Sequence, residues 1–300
     1  MHRRRLREAA EVKFAFIDAE KAIHRITKLC RLLEVSRAGF YAWCGRLPSK
    51  RAVEDARLTI LIREVHQRSR CTYGSPRIHA ELEARGVFVS RGRVIRLMQA
   101  EKIAARQRRR YRAMATVENA QQVAPNLLDR QFRPSAPNQS WAADTTYLRA
   151  GDGWLYLAVV VDLYSRFVVG WATSAVHDQQ LVTRALDMAV RRRRPDAGLL
   201  HHSDQGTQYT GEAFQRVLAE HGITCSMSRR GNVYDNAAME SWFSTLKSEL
   251  GERFESHAAA KEQLFDYIEV FYNQQRRHSV LGYMSPAEFE RAARAEQSAA

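Results

Sequence analysis

The sequence predicts an α/β protein: a mixed sheet flanked by helices, preceded by all-α units rich in arginine. Three observations carry that expectation. The 300 residues exceed one typical domain, so two or three compact units are expected. Apolar residues recur at helical spacing up to about residue 112, and at strand spacing or in short buried runs beyond about residue 138. The charge divides near the same place, with 30 Lys and Arg against 13 Asp and Glu through residue 136, and 17 against 20 in the remainder.

That imbalance points to a partner. Only seven residues are lysine, so the excess is arginine, whose planar fork pairs with phosphates and guanine edges. A nucleic acid is therefore the leading reading for the partner of the N-terminal part, with a merely soluble basic surface as the alternative; arginine-rich helical units suit double-stranded DNA. No membrane span is expected, because the run "LYLAVVV" at 155–161 falls far short of the roughly 20 apolar residues required. The start "MHRRRLREAA" lacks an apolar signal core, which suits a cytoplasmic protein. Cys30, Cys44, Cys71 and Cys225 form no CxxC pair and are expected as reduced, mostly buried thiols.

The first helical unit is assigned to residues 13–50. In "ITKLCRLLEVSRAGFYAW", Leu29, Leu32 and Leu33 form an apolar stripe, Glu34 and Val35 make a turn, and Ser36 caps a second helix that turns Phe40 and Trp43 inward. This is helix-turn-helix spacing. Arg37 and Tyr41 fall on the outer face of the second helix, where a reader of the major groove needs donors.

The second unit takes residues 51–112. A helix from about 54 to 68 precedes "YGSPRIHAELEARG", in which Ser75 reads as cap, Pro76 as first helical residue and Gly86 as stop. Ser90 then caps "RGRVIRLMQAEKI", which buries Val94, Ile95, Leu97, Met98 and Ile103 and turns Arg91, Arg93 and Arg96 outward. "RQRRRYR" extends the charge through Arg108, Arg109 and Arg110. All six arginines are expected DNA contacts.

Residues 113–136 lose periodicity and cluster Pro, Asn and Ser, as a linker does. From 137 to 250 the pattern reads as a core domain. "SWAADTTYLRA", "WLYLAVVVDLYS" and "RFVVGWATS" are successive antiparallel strands, the first two joined by a "GDG" turn. Asp178 caps a helix to Arg194 whose terminal arginines complement its dipole. "AGLLHHS" is a buried strand, "GEAFQRVLAEHG" a helix, "ITCSMS" a strand, and "GNVYDNAAMESWFSTLKSEL" a turn and an amphipathic helix burying Trp242, Phe243 and Leu246. Residues 251–300 form a C-terminal helical extension.

The order β-β-β-α-β-α-β-α is the layout of the ribonuclease H fold. On such a sheet Asp144 lies on the first strand, Asp204 just past the fourth, and Glu240 on the late helix. Converging carboxylates repel one another unless cations neutralise them, and oxygen ligands suit Mg²⁺ or Mn²⁺. Two such ions would activate the attacking oxygen and stabilise the leaving one at a phosphodiester. Spacing alone is weak, since Asp and Glu make up 33 of the 300 residues. His201 and His202, on a buried strand, suit packing or outer-shell bonding better than metal ligation.

The motifs agree beyond that spacing. "KFAFIDAEKA", "LCRLLEVSRAGFYAW", "YGSPRIHAEL", "SAPNQSWAADTTYL", "HHSDQGTQYT" and "YNQQRRHSVLGYMSPAEFE" together resemble, over about residues 13–290, the second-frame (OrfB) transposases of the insertion-sequence-three family, which carry an integrase-type DDE core. The resemblance implies Asp144, Asp204 and Glu240 as catalytic, metal-binding acids, with 35 residues between the last two. It places the family's basic residue at Lys247, against a phosphate of the transposon end. Asn232, Asp235 and Asn236 then lie beside the site without ligating.

The implied function is cleavage and strand transfer of DNA with two Mg²⁺ or Mn²⁺ ions, by a homo-oligomer assembled on transposon-end and target DNA. A bacterial, nucleoid-associated location follows. The family's first-frame (OrfA) protein supplies a further helix-turn-helix and a leucine zipper; no sustained heptad repeat is found here, so an OrfA partner or fusion is expected. A non-catalytic binder of transposon ends is the alternative reading.

Overall fold

The computed structural model describes residues 2–106 and 124–299, and the chain separates into two compact units, Met1–Leu61 and Ile62–Ala300. In the first unit, α1 (His2–Glu20), α2 (Ile26–Leu32) and α3 (Arg37–Cys44) enclose a core of Ile17, Leu29, Cys30 and Phe40. Phe14, Leu33 and Trp43 pack against it. The Ser36 Oγ accepts from the Gly39 N–H at 2.9 Å, and Glu34 turns the chain at φ 54°. Leu32 does not join the expected stripe and is 74 % exposed. At about 100° per residue, the buried face runs from Leu29 towards Cys30 and Leu33, which leaves Leu32 on the other flank. The thiols are free, but of the four only Cys30 is buried, and Cys44 is exposed.

Helix α4 (Lys50–Arg68) starts earlier than its periodicity suggests, because the Ser49 Oγ accepts from the Ala52 N–H at 3.2 Å. It is followed by α5 (Ser75–Ala84) and α6 (Arg91–Ala100). Ser75 is not the cap. The N–H groups of Arg77 and Ile78 both donate to the Gly74 carbonyl at 3.1 Å, so Gly74 is the cap and the helix starts at Ser75, one residue sooner. Gly86, at φ 75°, ends it as expected, and the Ser90 Oγ caps α6 through the Arg93 N–H. Val94, Leu97 and Met98 are buried, whereas Ile95 and Ile103 are only half-buried.

The sheet has the order β3-β2-β1-β4-β5, with β1 (Ser140–Ala150), β2 (Gly153–Asp162) and β3 (Val168–Ser174) antiparallel. Strand β4 (Leu200–Ser203) runs parallel to β1, with β5 (Thr224–Met227) parallel to β4. Helices α7 (Gln179–Arg193), α8 (Thr207–Thr210), α9 (Glu212–Glu220) and α10 (Ala237–Glu249) complete the ribonuclease H-like layout. Asp178 caps α7 by accepting from the Leu181 N–H at 3.0 Å. A short β6 (Arg253–Phe254) pairs in parallel with the far end of β1.

One face of the sheet buries Trp141, Ala143, Ala158, Val160 and Val169 against α7 residues Leu181, Val182, Ala185, Leu186 and Ala189. The contact is close enough to demand glycine at 170, where a Cβ would lie 2.1 Å from the Ala185 carbonyl oxygen and 2.7 Å from the Ala189 nitrogen. Gly170→Ala is expected to lower stability by about 1–3 kcal/mol or more, read as a fall in the denaturation midpoint, since α7 must lift from β3. An unchanged midpoint would contradict this packing.

The C-terminal residues pack on the core: α11 (His257–Phe265), a π-helical stretch Asp266–Tyr272, and α12 (Pro286–Ala299). Asn273 brackets β3, accepting from the Val168 N–H at 2.9 Å and donating to its carbonyl at 3.1 Å. The arginines that close α7 have partners beyond the helix dipole: Arg192 donates to Glu269, and Arg193 forms a two-pronged pair with Glu290 at 2.7 and 2.8 Å. Residues 124–136 have no regular structure but are held in place, with Leu128 buried and the N–H groups of Leu127 and Leu128 donating to the Ser226 Oγ.

Candidate active site

Strands β1 and β4 set the two aspartates. Their parallel register, Ser140 beside Leu200 and Ala142 beside His202, carries Asp144 and Asp204 off the same end of the pairing. Asp144 accepts from the N–H of Thr145 at 2.7 Å, and Asp204 from that of Gly206 at 3.0 Å. The Asp144 carboxyl is held well above the usual carboxylate range, by burial first, then by the neighbouring Asp204 and by Glu240. Burial also raises Asp204, opposed by the Gly206 N–H and by His177. Glu240, in the first turn of α10, is more exposed, and partial desolvation raises it.

Asp144 lies in the fields of Asp204 and Glu240, yet among the described residues no three His, Cys, Asp or Glu side chains are gathered closely enough to hold a metal ion. Uncompensated carboxylates repel one another. The donor set still fits a hard divalent cation, because Mg²⁺ keeps several waters and takes one or two carboxylates instead of a full protein cage. Beside the acids, Asn236 donates to the Ala143 carbonyl at 3.5 Å, while its buried Oδ1 accepts no hydrogen bond among the described residues.

The 3₁₀ turn Val233–Asn236 that leads into α10 is pinned by Asp235. Its buried carboxylate accepts from the Arg229 side chain at 2.8 and 3.0 Å, from the Arg229 N–H, from Arg130 at 2.9 Å and from Asn126 at 2.9 Å. The Arg229 hydrogen bond holds Asp235 well below the usual carboxylate range. A depressed carboxylate contributes stability that is present above its unfolded pKa, near 4, and lost as pH falls through the folded value. Asp235→Asn is therefore expected to melt lower than the parent at pH 7, and the gap to shrink as pH falls below about 4. An equal gap at both pH values would reject this role.

The two histidines differ. His201 packs against Tyr209 and Phe214 with both ring nitrogens buried and, among the described residues, without a side-chain hydrogen-bond partner, and burial lowers its pKa to about 3. His202 bonds the Ser226 and Ser228 hydroxyls at 2.9 and 3.1 Å. Sequence reasoning missed His177, whose Nε2 lies 2.9 Å from the Thr145 Oγ1, and Tyr209, a buried phenol in the field of both aspartates. His177 follows β3 and Tyr209 lies on α8, so only the fold brings them beside the aspartates.

Lys247 lies two turns along α10 from Glu240 and about 20° around it, with its ammonium 5.1 Å above the Tyr147 ring. Among the expected DNA contacts, Arg37 and Tyr41 are exposed on α3, Arg91 and Arg96 are exposed on α6, and Arg93 is half-buried. Arg108, Arg109 and Arg110 lie outside the described residues. No helix among the described residues is long and apolar enough to cross a membrane.

The sequence matches the integrase core domain family over residues 134–233, a second integrase core domain family over 221–286, and an HTH-like domain over 53–111. It is 44 % identical over 263 residues to the insertion element IS600 uncharacterized 31 kDa protein of Shigella sonnei, covering 87 % of this chain and 97 % of that one. It is 39 % identical over 283 residues to transposase InsF for insertion sequence IS3A of Escherichia coli, covering 93 % and 98 %. A solved HTLV-2 integrase catalytic core domain in complex with magnesium aligns at 17 % identity and a TM-score of 0.42, over 53 % of this chain and 99 % of that one. With an HTH-like region ahead of an integrase core and relatives matched across almost their whole length, the chain belongs to the IS3 family of insertion-sequence transposases, of the InsF type and polynucleotidyl-transferase class.

Proposed function

We infer that the chain binds the ends of its insertion element and catalyses metal-dependent strand cleavage and strand transfer, with Asp144, Asp204 and Glu240 as the acids of the site. The observation that carries this reading is the Asp144–Asp204 pair, held on neighbouring parallel strands in each other's field with Glu240 added from α10. Two like charges half-buried together have no structural benefit; Asp144 accepts from the Thr145 N–H and Asp204 from that of Gly206. Mg²⁺ or Mn²⁺ would be held by these carboxylates, and when bound supplies charge neutralisation and activation of the attacking oxygen. In transfer, a 3′ hydroxyl oxygen of one strand forms the new P–O bond as the old P–O bond of the target breaks; the attacking hydroxyl gives its proton to solvent, and the displaced target strand takes one up and leaves as a 3′ hydroxyl.

The arginine-rich helices supply the duplex contacts in this reading, through Arg37 and Tyr41 in the first unit and Arg91, Arg93, Arg96, Arg108, Arg109 and Arg110 in the second. Lys247 meets a backbone phosphate near the reacting bond. The family membership supports oligomeric assembly on DNA, with an OrfA partner or fusion contributing the zipper.

The test is incubation of the full chain, with and without the first-frame protein, on labelled element-end duplex with and without Mg²⁺. Cleaved and joined strands that require both the metal and the end sequence are expected, along with binding that weakens steeply as salt rises. Tight end binding with no strand chemistry under any of these conditions would instead identify a non-catalytic occupant of the ends.

A further inference from the structure

The face of β1 that buries Trp141 and Ala143 continues with Thr145, Tyr147 and Arg149, and there it opens to solvent. Across the antiparallel register these three stand beside Ala158, Tyr156 and Trp154. Tyr147 is 37 % exposed and Trp154 45 %, and their rings meet edge to face at 5.1 Å. Cations sit over both: the Arg149 guanidinium is 5.3 Å from the Trp154 ring and the Lys247 ammonium 5.1 Å from that of Tyr147. Nearer the acids, the exposed His177 ring stacks on Tyr156 at 5.0 Å and 12° and bonds Thr145, the residue after Asp144.

We propose that this strip is a stacking platform for unpaired nucleobases of the DNA strand that enters the site, with Arg149 and Lys247 on its phosphates. The proposal rests on the site being a polynucleotidyl transferase and adds the state of its substrate: a duplex opened next to the reacting bond. From Thr145 to Arg149 the strip spans about 13 Å, comparable to four steps of a DNA strand at ~3.4 Å. Exposed tryptophan and tyrosine under cations match the aromatic and basic groups that bind single strands, because every base offers a π-face once it leaves the stack. A closed duplex hides those faces.

Charge also selects an anionic strand. Arg149 pairs in register with Arg253 on β6, which places two exposed like charges side by side. A phosphate between them relieves the repulsion. Glu252 lies in the field of Lys247 and partly offsets its charge, so the attraction is not uniform along the strip.

The experiment measures anisotropy of the full chain, in EDTA, on an element-end duplex that is fully paired and on the same duplex carrying three mismatched bases at the end. The parent is expected to prefer the mismatched duplex. Trp154→Ala should lose about 5- to 150-fold on it, corresponding to ~1–3 kcal/mol for one stacked base, with little change on the paired duplex. Trp154→Phe should recover most of the loss. A parent that binds both duplexes equally, or a Trp154→Ala variant that loses equally on both, overturns the platform while leaving the transferase reading intact. If Trp154→Ala changes the oligomeric state and not DNA binding, the strip is an interface between copies and the proposal fails. A parent that binds neither duplex removes this proposal and the function it rests on together.

Discussion

Asp144→Asn is expected to drop strand transfer to background, by more than the ~10- to 100-fold that loss of an outer-shell partner costs at a metal site. The amide keeps the volume and can still accept the Thr145 N–H, but removes the charge that a hard cation needs. The same expectation holds for Asp204→Asn and Glu240→Gln. Stability is expected to move the other way. Burial and the Asp204 carboxylate hold the Asp144 pKa well above its unfolded value near 4, so ionising Asp144 costs folding energy as pH rises past 4. In EDTA at pH 7, Asp144→Asn should therefore melt no lower than the parent, and Asp144→Asn and Asp204→Asn should each reduce the strain on the partner that remains. Parallel measurement of transfer and thermal unfolding separates the outcomes. Substantial transfer by Asp144→Asn would remove that acid from the site; lost transfer with a much lower melting point would make it a scaffold residue.

The second large effect is expected at Glu249, the last residue of α10. Its carboxylate is 7 % exposed and receives both prongs of Arg276, at 2.7 Å each, with the Tyr267 hydroxyl donating at 2.8 Å. Arg77, from α5, adds a longer pair at 3.6 Å, and Arg106 donates to the Glu249 carbonyl at 3.1 Å. Glu249 thus joins the helix that carries Glu240 to both the C-terminal segment and the HTH-like region. Glu249→Gln leaves Arg276 buried with its counter-charge gone, which should cost about 3–5 kcal/mol. For a unit of this size that is a drop of roughly 6–20 °C in melting temperature. The double variant Glu249→Leu with Arg276→Leu should recover much of the loss, because desolvation of two charges is also removed. If Glu249→Gln melts within about a degree of the parent, the pair has no such stake.

The order of elements in the core was legible in the sequence, and so were β1 at residues 140–150 and the caps Ser36, Ser90 and Asp178. Each rests on chemistry within a few residues: alternation of side chains, a hydroxyl or carboxylate three positions before an N–H, a glycine at positive φ. The acids were legible as candidates for the same reason, through motifs and the spacing of Asp204 and Glu240. Leu32 and Ser75 show the limit of local reading. A short helix has several faces that look apolar, and only packing of Ile17 and Phe40 against Leu29 and Cys30 chose one.

Other features arise at long range. Strand β6, two residues long, has no pattern of its own and exists through pairing with β1 about a hundred positions earlier. Glu249 reads in the chain as an ordinary acid at a helix end, and burial beside Arg276 turns it into a structural charge. Tyr147, Trp154 and Lys247 share one patch because the β1–β2 register and the path of α10 place them there. Most helices and strands, and the residues that have the chemistry, can be read from the chain because they depend on neighbours along it. The fields among Asp144, Asp204 and Glu240, and the partners of each charge, required the fold, because electrostatic and stacking energies depend on distance through space.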